Sequence, residues 1–82
     1  LDRKSLLIDH KDVTNDIRVL FGQKLRKLRL ERGLTQEGLA DLADMHFTYV
    51  GQIERGLRNP SLINLFRLAK ALKVSSSELL PF

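Results

Sequence analysis

The chain has 82 residues, a formal net charge of +4 and a sequence pI of about 9.9. This length is enough for one domain, which would bury only about 60–65% of its unfolded surface and would have marginal stability. The chain has no cysteine for disulfides or thiolate metal sites, so we expect oligomerisation to supply stability. The apolar runs are too short for a membrane span or a secretory signal, and we expect a cytoplasmic location.

Positive charge is concentrated in residues 18–32. The cations of this stretch, opposed only by Glu31, are Arg18, Lys24, Arg26, Lys27, Arg29 and Arg32. A net charge of this size can simply keep a small domain soluble. Its concentration in one stretch instead favours a polyanionic partner, of which nucleic acid is the commonest.

The first helical pattern follows a segment without clear periodicity. Residues 1–13 are therefore predicted to form an arm or a short extra helix. Thr14 is a suitable N-cap for the first helix, and Gly33 is a suitable residue to end it. Between them, the apolar residues that recur on one helical face are Ile17, Phe21, Leu25 and Leu28.

Two shorter helical patterns come next. Thr35 is the predicted N-cap of a helix that continues to about Ala43. Its predicted inward residues are Leu39, Leu42 and Ala43. The third helix is predicted from about His46 to Gly56, with Val50 and Ile53 inward.

The last two patterns have clear capping signals. Ser61 is the predicted cap of a fourth helix, whose buried stripe is Leu62, Leu65, Leu68, Ala69 and Leu72. Ser75 and Glu78 form a capping box for a fifth helix, with Val74 and Leu79 as its hydrophobic staple. Because no segment alternates with period two, we predict an all-α fold of five helices over residues 14–82.

Residues 36–55 have the pattern of a helix-turn-helix. The small or apolar residues that would let the two helices cross are Leu39, Ala40, Ala43, Met45, Val50 and Ile53. In this motif the second helix enters the major groove of DNA, and its first residues face the base edges.

These residues resemble the lambda-repressor/Cro-like, or XRE-type, regulators. The matching segments are Gly33-Leu34-Thr35-Gln36-Glu37, Leu39-Ala40, Tyr49-Val50, Ile53-Glu54-Arg55-Gly56 and Arg58-Asn59-Pro60-Ser61-Leu62. The loop at residues 58–61 is similar to that of restriction–modification controller proteins. The resemblance implies a five-helix lambda-repressor-like domain. It also implies a sequence-specific transcriptional regulator that binds a pseudo-palindromic operator in double-stranded DNA as a homodimer.

The sequence departs from the family pattern in two places, the turn and the start of the third helix. Asp44 stands where the family usually has glycine, although aspartate tolerates the left-handed conformation better than most residues. His46 and Phe47 stand where controller proteins often have Asp-Arg. We therefore expect an operator that differs from a typical controller-protein sequence.

The third helix supplies the candidate base contacts. Thr48 and Gln52 lie one turn apart; a glutamine can bond adenine N6 and N7, and the threonine methyl can contact thymine. Phe47 lies off the inward face and is predicted either to contact thymine methyls or to pack on a neighbouring helix. His46 is either a base contact or a residue of the helix cap.

Other polar residues are candidates for positioning the domain on the DNA backbone. Gln36 begins the second helix, where backbone N–H groups and the helix dipole favour a phosphate. The further phosphate candidates are Tyr49, Arg55, Arg58, Asn59, Ser61 and Arg26, with Lys24 giving general attraction. The resemblance also implies that Arg29 pairs with Glu54 and thereby orients the third helix on the core.

The remaining hypotheses concern partners. No catalytic motif, cofactor motif, metal-ligand spacing or small-molecule site is evident, so an enzyme is the weakest interpretation. The main alternative is an antitoxin-type protein-interaction module that also binds DNA. Leu80 and Phe82, at the end of the fifth helix, are the predicted dimer contacts. Alternatively, they fold back onto the fourth helix of their own chain.

Overall fold

The computed structural model describes residues 10–82, with side chains from residue 17 onward. Its helices are α1 (His10–Glu31), α2 (Gln36–Ala43), α3 (Phe47–Glu54), α4 (Leu62–Leu72) and α5 (Ser76–Leu79). Residues 10–82 contain no strand, which confirms the all-α, five-helix prediction. The first nine residues of the predicted arm lie outside the described range.

The two ends of α1 differ in how well local sequence predicts them. The helix begins at His10, so the prediction that Thr14 caps it is wrong: Thr14 lies inside the helix. The other end follows the prediction, since Gly33 has a φ of 68°. Its N–H donates to the Leu30 carbonyl and that of Leu34 to the Arg29 carbonyl, the pair of bonds that closes a Schellman motif.

The tight turn between α2 and α3 forms as the sequence predicts. The Thr35 hydroxyl caps α2 by accepting the Gly38 N–H at 2.9 Å. Asp44 ends α2 with a φ of 55°, in the left-handed region that a turn glycine would otherwise occupy. The chain then reverses within two residues, because His46 already caps α3.

The core lies between α1, α2, α3 and α4, and α5 closes it against α1 and α4. Its buried apolar residues are Phe21, Leu25, Leu39, Ala40, Ala43, Val50, Ile53, Leu68, Ala69, Leu72 and Leu79. Gly22 permits the closest approach in this packing. A Cβ on it would lie 2.6 Å from the Glu54 carbonyl oxygen and would also collide with the Ile53 carbonyl oxygen.

Three residues that periodicity predicts to be inward are exposed. Leu42 is 61% exposed because Leu39, Ala40 and Ala43 form the buried face of α2, and Leu42 lies to the side of it. Leu62 begins α4 and is 82% exposed, and Ile17 is 38% exposed. Periodicity identifies which face of a helix is buried, but it does not locate where the elements covering that face end.

Candidate nucleic-acid interface

α3 has one face in the core and the other on the surface. Val50, Gly51 and Ile53 are buried. Phe47 and Thr48 are exposed, and Gln52 is half-buried. The residues predicted to contact bases therefore lie on the outward face of α3, where a recognition helix presents its reading side chains.

His46 and Phe47 form a small aromatic unit at the start of α3. The His46 Nδ1 caps the helix by accepting the Thr48 N–H at 3.1 Å, so the ring keeps only Nε2 for another partner. The two rings stack with centroids 4.8 Å apart and an angle of 24° between their planes. Phe47 remains 47% exposed and packs on His46 rather than into the core.

A buried ion pair fixes α3 relative to α1. Arg29 donates to the Glu54 carboxylate through Nε at 2.6 Å and through Nη2 at 3.0 Å, as the family resemblance implied. Hydrogen bonding to Glu54 raises the pKa of Arg29 above its usual value, and burial only partly opposes this. Arg29 Nη1 also donates to the Leu34 carbonyl at 2.9 Å, so one side chain joins α1, the α1–α2 loop and α3.

Gln36 joins the same network from the first position of α2. Its Nε2 donates to Glu54 Oε1 at 3.1 Å, which holds the amide over α3. Gly51 makes room for this arrangement, because a Cβ there would lie 3.3 Å from Gln36 Oε1. Gly51 is not among the residues predicted from the sequence, and its one sequence signal is that it is a glycine inside a helical pattern.

The segment after α3 places further polar groups beside it. Arg58 Nε donates to Gln52 Oε1 at 2.9 Å. Ser61, predicted to contact phosphate, uses its hydroxyl to cap α4 by accepting the Asn64 N–H at 3.1 Å. Asn59 is exposed in the loop between α3 and α4.

Asn64 is a residue that sequence reasoning missed. Its Nδ2 donates to the Tyr49 hydroxyl at 3.2 Å, so the phenol accepts this bond and keeps its own proton for another acceptor. No motif marks Asn64, because the contact joins α3 and α4 across 15 positions of sequence. The other phosphate candidates, Arg55 at the end of α3 and Arg26 on α1, are exposed.

The part of the chain that the structure describes contains neither a metal-binding cluster nor a membrane-spanning helix. That part contains no cluster of three or more histidine, aspartate or glutamate residues that could hold a metal ion. None of its helices is long and apolar enough to cross a membrane.

Comparison with known proteins agrees with this geometry. A family model described as helix-turn-helix matches residues 25–79, a range that contains α2 and α3 entirely. The chain belongs to this helix-turn-helix family. It is 51% identical over 71 residues to the control protein C.BamHI of Bacillus amyloliquefaciens, covering 85% of this chain and 88% of that protein. It is 47% identical over 66 residues to the control protein C.MunI of a Mycoplasma species, covering 79% and 89% respectively.

A solved structure from the same family shows the same fold. The restriction–modification controller protein C.AhdI of Aeromonas hydrophila superposes on this chain with a TM-score of 0.74 at 52% identity. The match covers 74% of this chain and 92% of that one. The resemblance to XRE-type regulators and to controller proteins is confirmed, and the chain is a DNA-binding transcriptional regulator of that type.

Proposed function

We propose that this regulator binds a pseudo-palindromic operator as a homodimer and places α3 of each copy in the major groove. The observation that carries the proposal is the buried Arg29–Glu54 pair, whose side chains are 9% and 3% exposed. It fixes α3 against α1 while Thr48 and Gln52 remain on the outward face. A reading helix needs this rigidity, since base contacts depend on side chains held in a defined register.

The proposed base contacts are Phe47, Thr48, Gln52 and His46. Polar residues around α3 would then hold the DNA backbone and fix the register of the domain. The proposed backbone contacts are Gln36, Tyr49, Arg55, Arg58, Asn59, Ser61 and Arg26. Gln36 has a second Nε2 hydrogen beyond the one donated to Glu54, and the Tyr49 hydroxyl keeps its proton. Both groups are therefore equipped to donate to a phosphate.

The proposed dimer contact is an apolar patch formed by Leu62, Phe66, Leu80 and Phe82. Leu62 and Phe82 are each 82% exposed, and Phe66 is 61% exposed. Leu80 is half-buried against the core of its own chain and lies between two apolar grooves, one bordered by Leu62 and Phe66 and the other by Phe82. Exposed apolar side chains gathered in this way are typical of an interaction surface, which supports a two-fold contact around α5.

The regulated genes are proposed to be those of a restriction–modification system. The relatives at 51% and 47% identity are control proteins, and C.AhdI is a restriction–modification controller protein. Because His46 and Phe47 replace the Asp-Arg that controller proteins often carry, we expect a different operator sequence. A reporter fused to the promoter of a neighbouring methyltransferase gene should respond to this protein; an unresponsive reporter would contradict this assignment.

Two substitutions separate base reading from backbone binding. Gln52→Ala should weaken binding to the operator by about 1–3 kcal/mol and leave binding to random DNA nearly unchanged. Gln36→Ala should weaken both, since a backbone contact carries no sequence information. Fluorescence anisotropy with operator and scrambled duplexes measures both effects. Identical behaviour of the two variants would contradict the assigned roles.

A further inference from the structure

The amide of Gln52 is already engaged before any DNA is present. Arg58 Nε donates to its Oε1 at 2.9 Å. The turn after α3 creates this contact: Gly56 has a φ of 75°, and the Leu57 N–H donates to the Gln52 carbonyl at 2.9 Å. The backbone thus folds back on Gln52 and places the arginine beside it.

This contact changes what the glutamine offers to a base. A free glutamine presents one acceptor oxygen and two N–H donors, whereas arginine has donors only. With Arg58 on Oε1, the unused groups of the pair are the two Nε2 hydrogens and the Nη hydrogens of the guanidinium. Oε1 keeps a second lone pair, but an amino group that approached it would also approach the positive charge of Arg58.

Major-groove edges distinguish such a pair from a free glutamine. Adenine presents an acceptor at N7 and a donor at N6, which suit the oxygen and nitrogen of a free amide. Guanine presents two acceptors, N7 and O6, which suit a group that offers donors only. We propose that Gln52 and Arg58 act as one donor-only reader that selects guanine, with Arg58 as the residue that sets this specificity. The inference rests on the proposed binding of an operator by α3, and it replaces the backbone contact proposed above for Arg58 with a base contact.

The test is selection of bound duplexes from a randomised pool by the full chain and three variants. Gln52→Ala identifies the position of the duplex that Gln52 and Arg58 read, because the sequence preference is lost at that position. At that position we expect the wild-type chain to enrich guanine about tenfold over adenine. Arg58→Met, which keeps the apolar stem, should release the amide and shift enrichment to adenine. Arg55→Met, which removes another exposed arginine near the end of α3, should lower affinity and keep guanine.

Several results would overturn the inference. Enrichment of adenine by the wild-type chain, or guanine retained by Arg58→Met, excludes a donor-only pair. If Arg58→Met weakened binding to every duplex equally, Arg58 would be a backbone contact only. A competition titration of the wild-type chain between duplexes that differ only in G·C or A·T at this position repeats the test without a variant. If the wild-type chain enriches no motif, operator binding itself fails, and this inference fails with it.

Discussion

At the scale of single residues, the glycines of α1 and α2 have opposite roles. Gly22 lies where α1 crosses the end of α3, and the backbone oxygens of Ile53 and Glu54 occupy the space of its missing Cβ. Gly38 lies in the first turn of α2, where a Cβ would lie 3.2 Å from the Thr35 hydroxyl. A backbone carbonyl inside a helix cannot move far, whereas a hydroxyl at the end of a side chain can.

We expect Gly22→Ala to destabilise the domain by about 1–3 kcal/mol, despite the higher helix propensity of alanine. The added methyl group must push α1 away from α3 and weaken the packing around Ile53. Urea denaturation followed by circular dichroism measures the free energy of unfolding. An unchanged midpoint would mean that the crossing is looser than the structure indicates.

We expect Gly38→Glu to raise the melting temperature. The change removes a cost of up to about 1 kcal/mol for glycine in a helix, and it completes a capping box with Thr35. The hydroxyl of Thr35 has to shift by a few tenths of an ångström. Gly38→Ala separates the two gains, since it keeps only the propensity term. A lower melting temperature for both variants would show that the cap cannot give way.

At the scale of elements, the ends of α1, α2, α3 and α4 share one backbone conformation. Each is followed by a residue of positive φ: Gly33, Asp44, Gly56 and Lys73 respectively. Each of these residues and its successor donate to the last carbonyls of the helix. Glycine suits this conformation, whereas Lys73 adopts it with a φ of 58° and a side chain that disfavours it.

Lys73→Gly is therefore expected to stabilise the domain by about 0.5–1 kcal/mol. Glycine relieves the backbone strain at this position, and the greater freedom of the unfolded chain offsets part of that gain. Lys70→Gly is the matched control, because Lys70 lies inside α4 at helical angles. It should lose about 1 kcal/mol. Thermal melts of the two variants give opposite shifts if this account is right, and shifts of the same sign contradict it.

At the scale of the whole molecule, the operator complex should depend strongly on salt. Each phosphate neutralised by a cation contributes about −0.9 to the slope of log K against log salt concentration. Arg26→Met should reduce the steepness by about 0.9 for each copy bound. Gln36→Ala should weaken binding with little change of slope, since its side chain is neutral. Titrations at four salt concentrations test this, and a flat slope for the wild-type chain would contradict the electrostatic argument.

The proposed dimer depends on the apolar patch formed by Leu62, Phe66, Leu80 and Phe82. Leu62→Asp combined with Phe82→Ser should give a folded monomer with greatly weakened operator binding, because both side chains are largely exposed within one copy. Leu80→Asp is a poorer test, since Leu80 packs against its own core. Leu30→Asp, on an exposed part of α1, is the control. Analytical ultracentrifugation measures the oligomeric state, and circular dichroism shows whether each variant is folded. A dimer that survives the double change excludes this patch as the dimer interface.

Local sequence determined where most helices begin and end. Thr35, Ser61 and Ser75 cap α2, α4 and α5 as their sequence positions predict. Gly33 and Asp44 supply the left-handed turns. These features are bonds between groups a few residues apart, so the residue types nearby suffice to specify them. The start of α1 is the exception, because a good capping residue does not prevent a helix from extending past it.

Packing between distant elements, rather than local sequence, fixes which side chains the helices cover and which polar groups meet. The exposure of Leu42 and Leu62 depends on where distant elements end. Gly22 matters because α3 crosses α1, and Asn64 because α4 passes Tyr49. The bond between Arg58 and Gln52 likewise depends on how the chain turns after α3. Such contacts join residues that local patterns do not relate, and their geometry is fixed only when the core is packed.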